Sequence, residues 1–185
     1  MLFMKSEPTE SEIRSIPNSA SHLKILGVTF EASLKWDIHV ENVSKCASQR
    51  VHVLRMLKRI PGASKTDVLQ VYYNYVLSVL EYNSPLFVGL NTRNQQRMER
   101  IAKRCHRIIC GESCHCGAFQ NINQRRQNQA MKVFSKMMNP DNISHSLLPH
   151  HLPRTGHLFI EHCTTNRRAN SFVPFCSLLW NSRQK

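Results

Sequence analysis

Apolar positions in this chain change their spacing several times, and each change marks an element. Residues 1–22 are polar and acidic with Pro8 and Pro17, and they read as a flexible lead-in. Leu23 to Phe30 is a short apolar, β-branched run and Leu34-Lys35-Trp36 a second, separated by Glu31-Ala32-Ser33; this predicts a small hairpin over residues 23–36. Two strands are too few to stand alone, so the hairpin needs a helical partner. From Asp37 to Ile60, the residues Val40, Val43, Ala47, Val51 and Leu54 recur at three and four, one face of a helix. Asp37 is the expected N-cap and Pro61-Gly62 the stop. Ser64-x-x-Asp67 then opens a second helix as a capping box, with Val68, Tyr72, Tyr75, Val76, Val79 and Leu80 inward and an end before Ser84-Pro85.

The clearest pattern lies between Thr92 and Cys110, where Met98, Ile101, Cys105 and Ile108 form a narrow buried stripe, with Gly111 as the stop. A fourth helix is expected from Asn123 to Met138, with Ala130, Val133, Phe134 and Met137 inward and Pro140 beyond its end. Residues 139–185 hold Pro149, Pro153 and Pro174 without a sustained period, an irregular basic tail whose apolar C-terminal end acts as an anchor. No internal repeat of 20 to 50 residues marks a solenoid. The fold class is therefore mainly α: about four helices over 37–138, a short N-terminal β-hairpin and an irregular C-terminal tail.

Charge changes this picture. Lys and Arg number 25 against 12 Asp and Glu, a formal +13. Residues 1–41 carry four cationic and six acidic side chains, a balance of −2, so the remainder carries +15. Such a field suits polyanions, and nucleic acid is the leading partner class. The length fits one ordinary domain. No run of about 18 apolar residues occurs, and Met1 to Lys5 lacks the order of a secretory signal; no membrane partner and an intracellular location, nuclear or cytoplasmic, are expected. Seven cysteines, an odd number unevenly spread, fit a reducing compartment better than a disulfide framework.

The cations are also patterned. Arg93, Arg97, Arg100, Arg104 and Arg107 fall at spacings of four, three, four and three, so all five share one face of the third helix. Guanidinium groups in that array straddle phosphates and position a duplex without reading bases. Lys45, Arg55 and Arg59 fall on a common side of the first helix and extend the same surface. The competing reading is a plain solvated face, but only Glu99 stands among the five arginines to offset their mutual repulsion.

Other constellations are weaker. Tyr72, Tyr73, Tyr75 and Tyr82 have the helical spacing of core packing, against a base-stacking role. Cys105, His106, Cys110, Cys114, His115 and Cys116 offer thiolates and imidazoles, with Cys110, Cys114 and Cys116 the zinc candidates; the C-x3-C and C-x-C spacings lack a finger's usual bite. His145, His150, His151, His157 and His162 are interrupted by Pro149 and Pro153, so no helix presents two rings together. Two-metal nucleotidyl transfer needs carboxylates that grip ions about 4 Å apart, whereas Asp37, Asp67 and Asp141 are isolated near helix boundaries and are expected to cap. No phosphate-cradling glycine loop or Gly-x-Ser-x-Gly elbow occurs. Phe172, Phe175, Leu178, Leu179 and Trp180 form the anchor, expected to dock on the helices.

Several of these blocks, taken in order, resemble one family along nearly the whole chain. Lys24 to Phe30 with Trp36, Leu80-Glu81-Tyr82 before Ser84-Pro85, Met98-Glu99-Arg100 through Ile108-Ile109, and Ser171-Phe172-Val173-Pro174 with Leu179-Trp180-Asn181 are similar to segments of the reverse transcriptase of LINE-type, jockey-like non-LTR retrotransposons. The resemblance begins past that family's catalytic aspartates, with Met1-Leu2-Phe3 just beyond the preceding motif. It implies a thumb and tail of an RNA-directed DNA polymerase, with Leu26, Gly27 and Val28 corresponding to the primer grip and the helices clamping an RNA-DNA or DNA duplex. The resemblance leaves out the fingers, most of the palm and the endonuclease, which makes a palm or fingers domain, in cis or in trans, a candidate partner. The expectation is a truncated fragment with no catalytic centre or cofactor. The alternatives are a domesticated, non-enzymatic nucleic-acid-binding module and a zinc-dependent interaction module.

Overall fold

Leu26 and Gly27 set the first backbone geometry, with φ of 47° and 82°. Two successive positive φ values make the tight turn whose twist matches that of an antiparallel pair. The hairpin therefore closes inside the first apolar run: β1 (His22–Ile25) pairs with β2 (Val28–Glu31), Ile25 opposite Val28 and His22 opposite Glu31. This corrects the expectation that Leu34-Lys35-Trp36 is the second strand. Leu34 and Trp36 hold φ of 53° and 64°, left-handed values that a strand excludes. The chain is described from a computed structural model that covers residues 22–111 and 120–183; the lead-in lies almost wholly outside them.

Helix α1 (Asp37–Lys58) begins one residue earlier than Asp37 as N-cap would set it, with Trp36 at its N-cap. The capping work falls to Glu31, whose carboxylate accepts from the Ile38 N–H at 2.6 Å. Asp37, free of that task, accepts from Asn94 Nδ2 at 2.7 Å and ties α1 to a later helix. Helix α2 starts on the expected capping box: Ser64 Oγ accepts from Asp67 N and Asp67 Oδ2 from Ser64 N. It runs as an α-helix through Lys65–Val71, as a π-helix through Tyr72–Leu77 and as an α-helix again through Ser78–Glu81. Widening a turn by one residue changes which positions face inward. Tyr72, Val76, Leu77 and Leu80 are buried, while Tyr73, Tyr75 and Tyr82 turn outward, so only one of the four tyrosines is core. The loosened carbonyls find donors: Arg50 serves Tyr75 O at 2.8 Å and Ser78 Oγ serves Asn74 O at 2.7 Å. Asn83, at φ 51°, then breaks the helix into the 3₁₀ turn Ser84–Phe87.

Helix α3 (Thr92–Cys110) is capped by the Asn91 side chain, which accepts from Asn94 N at 2.8 Å, and stops at Gly111. Met98, Ile101 and Cys105 are buried as expected; Ala102 and Ile109 complete the stripe, and Ile108 is half-buried. Helix α4 (Ile122–Met137) is capped by Asn121. Ala130, Phe134 and Met137 face inward, with Met131 in place of the exposed Val133.

Direction follows from the contacts. Asp37 meets Asn94, Glu41 meets Arg97, and Lys58 at the end of α1 donates to Ile108 O near the end of α3. The two helices therefore run parallel, and α2 returns between them. Val40, Val51, Leu54, Leu80, Met98 and Cys105 are central to their shared core. A second core joins α4 to the tail through Phe134, Ala130, Leu158 and Cys176. The tail is irregular over most of its length, with a 3₁₀ turn Ile143–Leu147 and a short helix α5 (Asn166–Ala169), but it closes as a regular helix, α6 (Phe172–Arg183). Pro174 sits in the first turn, where a missing N–H leaves no bond unmade. Trp180 packs on Phe134 with ring centroids 6.0 Å apart, and the Asn181 amide bonds both the N–H and the C=O of Leu158. The apolar end of the chain is thus docked.

A chain of rings binds these parts. Phe30 lies 5.3 Å from Trp36, Trp36 5.8 Å from Phe87, and His39 4.9 Å from Phe87. On Phe87 also rests the Arg126 guanidinium, 4.9 Å from the ring centroid and only 1% exposed, whose Nη2 donates to Phe87 O at 2.7 Å. Burial pulls the Arg126 pKa down to about 10, against the pull of Glu81. His39 Nδ1 accepts from Thr29 N at 3.3 Å, so the neutral ring carries its proton on Nε2. Burial, and then the Arg126 charge, lower the His39 pKa.

Two outcomes follow from this packing. A Cβ at Gly89 would stand 2.2 Å from Asn170 O, so Gly89→Ala should dislodge the tail at a cost of about 1–3 kcal/mol, read as a lower thermal midpoint and faster proteolysis within residues 139–183. Above pH 6.5 His39 is neutral folded or unfolded; as pH falls below it, the unfolded chain takes the proton first, so stability drops. The fall in melting temperature from pH 7 to pH 5 should be smaller in His39→Phe than in the parent chain.

Candidate nucleic-acid interface

An α-helix advances 100° per residue, so Arg93, Arg97, Arg100, Arg104 and Arg107 fall within about 80° of arc, away from the side that buries Met98, Ala102 and Cys105. Arg93, Arg100, Arg104 and Arg107 are exposed and Arg97 is half-buried. The five span 15 residues, about 21 Å of helix from first to last at ~1.5 Å of rise per residue. Gly111, Asn91 and the core stripe hold this helix in place, so the row is carried on a rigid element.

The α1 cations join the row from the side. Lys45 and Arg55 are exposed on α1, and Arg59 is exposed as the residue just past its end. Arg97 Nη2 lies 3.3 Å from Glu41 Oε1, which stands one turn before Lys45. Arg55 and Arg104 both act on the Cys105 thiol buried beneath them. The parallel course of α1 and α3 therefore sets two rows of positive side chains along one surface. Among the described residues, no carboxylate forms an ion pair with Lys45, Arg55, Arg59, Arg93, Arg100, Arg104 or Arg107. Glu99, the acid inside the arginine sequence, faces away: its Oε2 accepts from Ile122 N at 3.1 Å and caps α4. Glu41 is the acid that does lie in the surface. Its spacing of four from Lys45 was visible in the sequence, but its partner on α3 was not.

Arg125 and Arg126, adjacent in sequence, have opposite fates. Arg125 makes a two-pronged pair with Glu81, to which Gln129 also donates at 3.0 Å, and Arg126 is the buried cation under Phe87. Neither belongs to the surface. The pair with Glu81 raises the Arg125 pKa.

The hairpin tip divides the three primer-grip positions. Leu26 is 83% exposed and Gly27 is at the turn, whereas Val28 is 1% exposed and belongs to the core. Tyr82 Oη donates to Leu26 O at 2.9 Å and holds the tip against the end of α2. Behind the tip, a cavity of about 650 Å³ opens between the hairpin, α1 and α2, with Lys24, Asn42 and Arg50 among its lining residues.

The zinc candidates are only partly described: Cys110 is half-buried at the end of α3, and Cys114 and Cys116 lie outside the described residues. Among the described residues no three His, Cys, Asp or Glu side chains gather in a metal-binding group. In the tail, His145 Nδ1 bonds Met137 O, His151 Nδ1 bonds Gly156 O and His150 stacks on Phe159. The aspartates sit at separate places: Asp37 on Asn94, Asp67 in its capping box, and Asp141 in the turn after α4.

The chain matches no protein-family model, no curated protein and no solved structure. What the fold itself defines is a mostly helical protein with a short antiparallel hairpin at its N-terminal side. Among the described residues no helix is long and apolar enough to cross a membrane.

Burial pushes the thiols of Cys105 and Cys176 up to about 12, and a thiol reacts as its thiolate. Mass spectrometry after brief alkylation at pH 8 should find both unmodified in the folded chain and modified in denaturant.

Proposed function

We propose that this chain holds nucleic acid by its phosphate backbone across the α1–α3 surface, as the thumb and tail of a LINE-type reverse transcriptase, with no catalytic centre of its own. The observation that carries the reading is the row Arg93, Arg97, Arg100, Arg104 and Arg107, raised on one rigid face with Glu41 the only carboxylate paired to it among the described residues. Contacts of this type position a duplex without discriminating its bases. The ordered blocks from Lys24 to Asn181 support the family part of the reading. So do the exposed apolar side chains of the hairpin, Leu23, Ile25 and Leu26, a face that a palm in cis or in trans would cover.

Each phosphate contact contributes about 0.9 to the slope of log affinity against log salt. Gel shifts of a blunt duplex across a salt series should therefore show Arg100→Gln/Arg104→Gln/Arg107→Gln binding more weakly, with a slope shallower by roughly 2 to 3. Glu41→Gln removes the carboxylate from the surface and should shift affinity the other way. Equal slopes for the triple variant and the parent chain would end this proposal.

A further inference from the structure

Where the tail crosses the start of α1, the chain lines a second cavity of about 590 Å³, within the range of small-ligand sites. Its walls come from three stretches distant in sequence: residues 34–36, residues 86–91 and residues 165–172. Leu90, buried, and Trp36 and Phe172, half-buried, give it an apolar floor with Leu34 exposed at its edge, and the exposed Lys35 and Arg167 bring two cations to the rim. No carboxylate lines it. Neither cation forms an ion pair among the described residues, in contrast to the neighbouring Arg168, which is bound to Glu161 at 2.6 Å. Asn166 and Asn170 add side-chain amides, able both to donate and to accept.

The wall is also conformationally unusual. Leu34 and Trp36, two bulky residues, are both left-handed, and such backbone tends to cluster where ligands are held. The opposite wall is fixed by the close approach of the Asn170 carbonyl to Gly89. The cavity is therefore framed by two constrained segments.

Its chemistry is divided in a way that few ligands match. Inorganic phosphate would use the cations and leave the apolar floor empty. An uncharged ring would fill the floor and leave Lys35 and Arg167 unused. A planar ring joined to a phosphate uses both, with the amides facing the polar edge of the ring. We infer that this cavity binds a nucleoside monophosphate unit, base against Leu34 and Trp36 and phosphate toward Lys35 and Arg167. The unit is either a free nucleotide or the unpaired terminal nucleotide of a strand. The site is separate from the arginine row and is tested apart from it.

The test uses the whole chain and two probes. In the first arm, AMP is titrated and followed by ligand-observed NMR; the expected result is saturable binding, weaker by about tenfold or more for adenosine and for Lys35→Gln/Arg167→Gln, as loss of charge-assisted contacts implies. Inorganic phosphate at equal concentration should not displace it. In the second arm, a duplex with one unpaired terminal nucleotide is compared with its blunt counterpart, and any preference for the overhang should vanish in the double variant. Asn170→Asp, which brings a carboxylate to the rim, should weaken whichever binding is seen. AMP binding lost in the double variant assigns a free nucleotide; an overhang preference lost in it, without AMP binding, assigns a strand end. Absence of both, survival of either in the double variant, or displacement by phosphate overturns the inference. The arginine triple variant should lose the blunt duplex and keep the AMP response, so failure of one site is read separately from failure of the other.

Discussion

The contact on which the rest of this structure depends is the burial of Arg126 against Phe87. A guanidinium taken out of water is costly unless its donors are satisfied, and here the Phe87 carbonyl takes Nη2, the Met98 sulfur takes Nη1 and the ring face lies against the group, with the Glu81 carboxylate acting from beyond contact, while the buried Nε has no hydrogen-bond partner among the described residues. The opposite demands meet on one residue: Phe87 also receives His39 from α1 and Trp36 from the segment before it. Hairpin, α1, the approach to α3 and α4 are thereby held by a single buried cluster. The parallel setting of α1 and α3 is a product of that cluster together with the Asp37–Asn94 tie, and the paired rows of surface cations follow from the setting.

Much of this was legible along the chain, and the reasons differ by element. The capping box at Ser64 and Asp67 and the stop at Gly111 were readable because each rests on a local interaction a few residues long. The arginine face was readable because a single helix carries all of it. The hairpin was misplaced because apolarity extends unbroken through Leu26-Gly27-Val28, and only the glycine marks the turn inside it. All four tyrosines share the helical spacing of core packing, but the π-helix breaks the 3.6 period at Tyr73 and Tyr75, and Tyr82 stands just past the helix end, so Tyr72 alone is buried. Arg126 was silent in the sequence: next to Arg125, in a helix rich in polar residues, nothing local distinguishes the cation that is buried from the one that is paired.

The tail shows the same division. Proline at 174 suggested an irregular end, yet the first turn of a helix tolerates it, and the helix that follows is held by Phe134 and by the two-way bond from Asn181 to Leu158. α4 consequently serves two cores, its first half facing Phe87 and Met98 and its second half facing the tail. The cavity at residues 34–36 exists because the tail returns to cover the beginning of the helical unit, which no sequence period could announce.

The π-helical stretch of α2 carries one more residue than the same length of regular helix would need. The wide turn absorbs that residue in place, so the regular helix before and after it keeps its phase. Glu81 therefore stays within reach of Arg125 and Gln129, and Tyr82 of the Leu26 carbonyl. What the extra residue changes is local: Tyr73 and Tyr75 stand outward, and the carbonyls of Asn74 and Tyr75 are left to accept from Ser78 and Arg50, so a one-codon deletion here would close the bulge and remove those two bonds while leaving the two ends of the fold in register.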